Sequence, residues 1–339
     1  MVRAPHSLLV LALGLLGLTA CGPEPDLVVY VAHDQIHAEP LIKKFEKETG
    51  LVVEAAYDTE TNKTIGHVNR IRAEKNRVRC DVFWNNEVGH AVSLATEGLL
   101  AKHESENGAD IPDHFKDAEG RWYGFGARAR VLICNTELVD PDEVKGMTSL
   151  LEERFEGQVG MARPLTGTTL THMAALYDQL GEAGAEALLT DIKARNDAGK
   201  LDLTSGNATL MRKVREGKLA FGWTDTDDFN VAREGGYPVA MVAPDQNALG
   251  TMLIPNTIMI LEGAPHADAA AKFVEWVLRK EFEAELAQSR SAQIPVRPDV
   301  PRPEHVLDTG AIKIMKVDYV KLGEELQARQ ERLKELFLD

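Results

Sequence analysis

Cysteine is scarce in this chain, with three among 339 residues. There is no Cys-x-x-Cys pair and no zinc-like spacing of cysteine and histidine, which sets aside dithiol redox chemistry and a structural zinc site. Basic residues are outnumbered, 38 Lys and Arg against 53 Asp and Glu, for a formal net charge of -15. A surface of that sign argues against nucleic acid and against docking on anionic lipid by charge alone. A glycine-rich nucleotide loop is missing, since Gly124-Phe125-Gly126 lacks the rest of the dinucleotide pattern. So are a Gly-x-Ser-x-Gly elbow and a His-Glu-x-x-His pair, which removes two common hydrolase signatures. Internal repeats are absent. Leu8 to Leu18 is apolar but too short to span a bilayer, and no second apolar run of about 18 residues follows.

What is present begins at the N-terminus. Met1-Val2-Arg3 is a short basic region, the apolar run follows, and Leu18-Thr19-Ala20-Cys21-Gly22 closes it. This is the pattern of a signal peptide, and its ending resembles a bacterial lipobox. Residues 1–20 are therefore expected to be removed and Cys21 to carry the lipid. Residues 21–26, with Pro23-Glu24-Pro25, would form a stiff tether. The chain is expected to be exported and held at the cell envelope by this anchor alone, on the periplasmic face of a membrane in a Gram-negative cell. The other cysteines, Cys80 and Cys134, either pair or pack as separate buried thiols, the second being the simpler state.

The length suits two domains of ordinary size, and 44% hydrophobic with 27% charged residues suits a soluble globular fold. Short apolar runs alternate with amphipathic segments. Strands are expected at 27–32, 51–56, 81–84, 122–126, 127–134, 160–164, 219–223, 239–243 and 252–260. Helices are expected from Pro40 to Thr49, Thr64 to Asn76, Val88 to Gly98, Leu170 to Leu180, Glu182 to Asn196, Ala267 to Glu285 and Val317 to Leu338. Pro255 inside a strand points to an edge or a bulge, and 203–204 makes a poor strand. The alternation argues for an α/β fold with largely parallel, doubly wound sheet.

In such sheets ligands sit beyond the carboxyl ends of the strands. Four post-strand turns carry suitable groups. His33-Asp34-Gln35-Ile36-His37 offers His33, with His37 read as a surface residue. Asn85-Asn86-Glu87 offers Asn86 and Glu87, although Asn86 as a helix cap with Glu87 in the first turn explains them equally well. Thr166-Gly167-Thr168-Thr169 and Ser205-Gly206-Asn207 open helices, where backbone N–H groups and hydroxyls suit an anion. Leu219 to Asn230, LAFGWTDTDDFN, ends an apolar strand in Asp225, Thr226, Asp227 and Asp228. Hard oxygens of this kind suit a cation, an amine or hydroxyls, and Thr224 or Asp225 also suits a helix cap. Arg128 and Arg130 alternate on one strand and share a face. They serve either as anion ligands or as surface ion-pair partners.

Taken together these segments resemble the extracellular solute-binding proteins of bacterial ABC importers, in the group of ferric-ion binding proteins and their phosphonate- and phosphosugar-binding relatives. The resemblance rests on VVYVAHDQIHAEPLIKKFEKETGLVVE at 28–54, CDVFWNNEV at 80–88, GARARVLICNT at 126–136 and RPLTGTTLTHMAAL at 163–176. It continues through TSGNATLMRKVREGKLAFGWTDTDDFNVA at 204–232, VAPDQNALGTMLIPNTIMIL at 242–261 and APHADAAAKFVEWVL at 264–278. It implies a two-lobed type II periplasmic-binding clamshell with the ligand between lobes. On this reading 27–127 and 246–300 form lobe 1, 128–245 forms lobe 2, and 301–339 is a helical segment packing on both. The chain would cross between lobes near 126–132 and 240–248, and close on its ligand by a hinge.

Ferric members of the group bind iron through two adjacent tyrosines, a histidine or glutamate, and an anion. This sequence has no Tyr-Tyr pair, and Thr224-Asp225-Thr226-Asp227-Asp228 stands where one is expected. The resemblance therefore implies a hard cation held by His33, Glu87, Asp225 and Asp227. The accompanying anion would lie on Arg128 and the Thr166 to Thr169 turn, with Asn86, Ser205, Asn207 and Thr226 as further ligand groups. Capture and hinge closure replace catalysis, no resident cofactor is needed, and the partners are a permease and an ATPase of an importer that meet a monomer. The alternatives are a phosphonate or phosphosugar in the same cleft, or a more apolar solute against Trp84, Trp122, Trp223 and Phe229. From another class, a secreted hydrolase using paired carboxylates lacks a nucleophile–base pattern.

Overall fold

A computed structural model describes residues 24–58 and 64–338. The signal segment and residues 21–23 of the tether, Cys21 among them, lie outside the described residues. The elements run β1 Leu27–Val31, α1 Gln35–Thr49, β2 Val53–Tyr57, α2 Ile65–Glu74, β3 Val82–Asn85, α3 Gly89–Thr96 and β4 Tyr123–Asn135. Next come β5 Val159–Ala162, α4 Gly167–Asp197, β6 Asp202–Thr204, α5 Asn207–Arg215, β7 Phe221–Asp225 and α6 Thr226–Glu234. The chain continues with β8 Val239–Val242, β9 Leu253–Ile260, α7 Ala267–Val277, α8 Lys280–Gln288 and α9 Tyr319–Leu338.

Strand order is β2-β1-β3-β9-β4-β7-β5-β6, with β8 also paired to β4. β1 pairs parallel with β2 and β3, and β5 pairs parallel with β6 and β7. β1, β3, β5 and β7 are buried almost throughout, which is why they read as continuous apolar runs, while the edge strands β2 and β6 are half-exposed. β4 is the element that joins them. Up to Ala129 it pairs with β9; from Arg130 it pairs with β7, and from Leu132 also with β8. The change of partner thus falls at Ala129–Arg130, and the return path lies between Val242 and Leu253.

Several boundaries differ from the sequence reading. α1 starts at Gln35, five residues before Pro40, so His37 is helical and His33 is not. The two strands expected at 122–134 are one strand with a bulge between Phe125 and Ala127. β9 is central, so the edge reading of Pro255 fails and the bulge explains it. Pro255 faces Ala127, whose N–H and C=O are instead bonded to Ile294 at 2.6 and 2.7 Å. The missing proline N–H therefore costs no ladder bond. The helix expected over 267–285 breaks between Val277 and Lys280, where Arg279 is extended. Gly181, at φ 72°, interrupts α4 where two helices were expected. Short β6 exists despite its weak pattern, as the edge partner of β5. Cys80 and Cys134 are separate buried thiols.

Candidate functional site

Because β1, β3, β5, β6 and β7 all end toward the lobe interface, their following turns converge there. The result is a polar cavity open to solvent, lined by Asp34, Asn86, Arg128, Arg163, Thr166 to Thr169, Ser205 to Ala208, and Asp225, Asp227 and Asp228. Three helices start at it. Their capping residues are Thr166 for α4, Gly206 for α5 and Asp225 for α6, and none closes its helix with its own side chain. Gly167, at φ 58°, lets the α4 start turn sharply into the cavity. Helix starts pointed at one space supply partial positive charge to it.

Beneath the cavity lies a buried polar web. Arg130 Nη1 donates to Asp225 Oδ1 at 2.6 Å. Thr168 Oγ1 and Asn207 Nδ2 donate to Asp225 Oδ2 at 2.6 and 2.9 Å. Arg130 also reaches Thr168 and Thr169 at 3.3 and 3.2 Å. Burial opposes ionisation of Asp225, but the charges of Arg130 and Arg128 and the bonds from Thr168 and Arg130 outweigh it, and its pKa is lowered. Arg128 Nη1 stands 3.9 Å from Asp225 and 3.8 Å from Asp227, while its Nη2 donates to the Asn86 carbonyl. The two arginines do share a face, but both are buried, so the surface ion-pair reading fails. His172, one turn into α4, packs on Trp223 with ring centres 5.0 Å apart. Burial, then the charge of Arg130, pushes its pKa down to about 3.

Of the residues singled out from sequence, Asn86, Arg128, Thr166, Thr168, Thr169, Ser205, Asn207, Asp225 and Asp227 line the cavity. Three do not. His33 is buried with its ring stacked on Trp84 at 5.7 Å and an interplanar angle of 6°. Glu87 turns inward: its carboxylate accepts from the N–H groups of Gly89 and His90 at 2.7 and 2.8 Å, from Asn85 at 3.1 Å, and from Thr171 at 2.9 Å. It caps α3, a task the sequence reading gave to Asn86. Thr226 points its hydroxyl at the Ala129 N–H, at 3.2 Å. The four-residue metal set His33, Glu87, Asp225 and Asp227 is therefore not assembled. Among the described residues the carboxylates of Asp225, Asp227 and Asp228 form the one group of three metal-ligating side chains, with ligand atoms within 4.8 Å of one another. Asp34 and Arg163 were missed; Arg163 follows β5 directly and Asp34 stands in the turn after β1, which was the available signal. Trp84, Trp122, Trp223 and Phe229 are core residues and do not line the cavity, so the apolar-solute reading loses its wall.

Comparison with known proteins places this geometry. The model of the family of bacterial extracellular solute-binding proteins matches residues 40–313. Iron uptake protein A1 of Synechocystis is 24% identical over 337 residues, covering 91% of this chain and 89% of that protein. The structure of a ferric binding protein from Campylobacter jejuni superposes with a TM-score of 0.81 at 23% identity, covering 91% of this chain and 99% of the other. AfuA from Actinobacillus pleuropneumoniae, with fructose-6-phosphate bound, superposes with a TM-score of 0.80 at 21% identity, covering 92% and 98%. The two-lobed binding-protein fold and the match along most of the chain agree: this chain belongs to the bacterial extracellular solute-binding proteins.

Proposed function

We propose that this chain is the capture subunit of an ABC importer and that its cargo is ferric iron, or another hard cation, taken together with an anion. The observation that carries the cation is the convergence of Asp225, Asp227 and Asp228 within 4.8 Å at the cavity wall. Carboxylate oxygens are the ligands hard cations prefer. Asp225 is buried beside Arg130, whereas Asp227 and Asp228 are only partly buried, so these two reach the cation, with Asp34 lining the same cavity. The anion lies on the starts of α4 and α5 beside Arg128. Iron is the cargo named for the Synechocystis relative. Transport partners are a permease and an ATPase, and Cys21 anchors a monomeric, exported subunit.

A second reading, a phosphorylated organic solute, is favoured by one observation. Arg128 Nε is buried without a hydrogen-bond partner, and Arg163 opens on the same cavity. That pairing beside two helix starts suits a phosphate group. Its precedent is the fructose-6-phosphate in the Actinobacillus neighbour.

One experiment separates them. Protein from Gly22 onward is screened by thermal shift against ferric citrate, divalent metals, phosphate, phosphonates and phosphosugars. Cargo at 100 times its dissociation constant stabilises by about 2.7 kcal/mol. A shift with ferric citrate and not with citrate supports the first reading. A shift only with a phosphorylated solute replaces it with the second.

A further inference from the structure

Helix α9 touches both walls of the cleft. Its first half lies on α3, where Leu322 and Leu326 are buried. The two backbones meet over Gly89 and Gly323: a Cβ on Gly323 would stand 2.3 Å from Val92 Cβ and 2.8 Å from the Gly89 carbonyl oxygen. A contact so closely interlocked leaves no room to slide. The polar edge of α9 lies along α4. Lys321 pairs with Asp178, Arg329 Nη1 with Glu182 at 2.7 Å, and Arg332 Nη2 with Glu186 at 2.8 Å. Arg332 adds a second bond to Glu186 at 2.9 Å, and Arg329 sits 4.2 Å over the Tyr177 ring. Asp178 precedes the break at Gly181, and Glu182 and Glu186 follow it one helical turn apart, so both parts of α4 meet the basic edge of α9. Farther along, Gln330 donates to the Leu165 carbonyl at 3.2 Å, beside the cavity turn.

α3 follows Asn86, and α4 opens with Thr166 to Thr169; these are opposite walls of the cleft. Widening the cleft separates α3 from α4, and α9 cannot follow both. The apolar interlocked contact is the costlier to break. The ion pairs are partly in water and individually weak. We propose that α9 is an electrostatic strap, seated on α3, whose pairs with Asp178, Glu182 and Glu186 hold the cleft closed and part when it opens. This goes beyond cargo capture and holds for any cargo.

The test needs no cargo. Spin labels at Val52→Cys and Leu138→Cys, both on exposed positions, report the distance across the lobes. Native Cys80 and Cys134 are buried and, through burial, have raised pKa values, so labelling is selective. In the triple variant Asp178→Lys, Glu182→Lys, Glu186→Lys the open population is expected to rise about tenfold. Adding Lys321→Glu, Arg329→Glu and Arg332→Glu to it re-forms the pairs with signs exchanged and is expected to restore the original distances. In the labelled protein without charge changes, raising salt from about 0.1 M to about 1 M shortens the Debye length to about 3 Å and is expected to shift distances the same way. Unchanged distances in a folded triple variant, or a reciprocal exchange that restores nothing, overturn the strap. Should the triple variant not fold, the salt series decides: distances that salt leaves in place overturn the strap as well.

Discussion

Asp225 has both carboxylate oxygens occupied before any cargo arrives, Oδ1 by Arg130 and Oδ2 by Thr168 and Asn207. Asp227 and Asp228 line the same cavity from the first turn of α6 and are partly exposed. The three acids should therefore separate on mutation. Asp225→Asn leaves Arg130 buried without its counter-charge and is expected to cost about 3–5 kcal/mol of stability, read as a lower urea midpoint. Asp227→Asn is expected to change stability by less than about 0.5 kcal/mol yet weaken cargo binding at least tenfold in calorimetry. Equal effects of the two on both measurements would sink this division of labour. His172 sets a second expectation. Its pKa is about 3 in the folded chain against about 6.5 unfolded, so below pH 6.5 the unfolded state binds the extra proton. Stability is thus expected to fall as pH drops from about 6.5 toward 3, by up to about 1.4 kcal/mol per pH unit. In His172→Gln that slope should flatten. Of the site itself, the Thr166, Ser205 and Asp225 turns were legible because each opens a helix, and the first and last also follow an apolar strand. Glu87 and His33 stand in equally suggestive turns. Their side chains were decided by partners sequence spacing does not show: the free N–H groups of α3 for Glu87, and the face of Trp84 for His33.

Elements were legible where local pattern decided them and misread where a neighbour did. The strand at Leu219 to Asp225 and the helix after it follow from an apolar run stopping at a cluster of acids. Pro255 instead depended on Ile294, distant in sequence, taking over the backbone groups of Ala127. β6 depended on β5 offering it an edge. The crossing of α3 and α9 is of the same kind: nothing local in either helix announces that Gly89 and Gly323 meet. It carries a prediction at this scale. Gly323→Ala gains up to about 1 kcal/mol of helix propensity, but its methyl would lie 2.3 Å from Val92 Cβ and 2.8 Å from a backbone oxygen. The oxygen cannot rotate away, so a net loss of about 1–3 kcal/mol is expected. Urea unfolding would show it as a lower midpoint with an unchanged slope; a midpoint at or above that of the parent would mean the helices are not so closely seated.

At the scale of the molecule, the length suggested two domains and the alternation of strands and helices a doubly wound sheet, and the resemblance supplied two lobes and the cleft between them. What neither supplied is how the halves touch. β4 changes partners at Ala129–Arg130, so Arg128 and Arg130 flank the point where the chain passes from one strand set to the other, and a hinge is expected there. Across the cleft, Thr171 on α4 donates to Glu87 beside α3 at 2.9 Å. This bond joins the walls directly, and it forms only when they meet. Thr171→Val keeps the shape and removes the hydroxyl. Glu87 retains its bonds from Gly89, His90 and Asn85, so each lobe stays intact. The variant is expected to lose about 1 kcal/mol of closure energy, roughly fivefold in cargo affinity, chiefly through faster release. In the cargo-free chain, where α9 already holds the cleft closed, the unfolding free energy is expected to fall by no more than the same amount, about 1 kcal/mol. Stopped-flow release of whichever cargo the thermal screen identifies would measure it. An unaltered release rate would show that this bond persists when the cleft opens, and would move the hinge away from Ala129–Arg130.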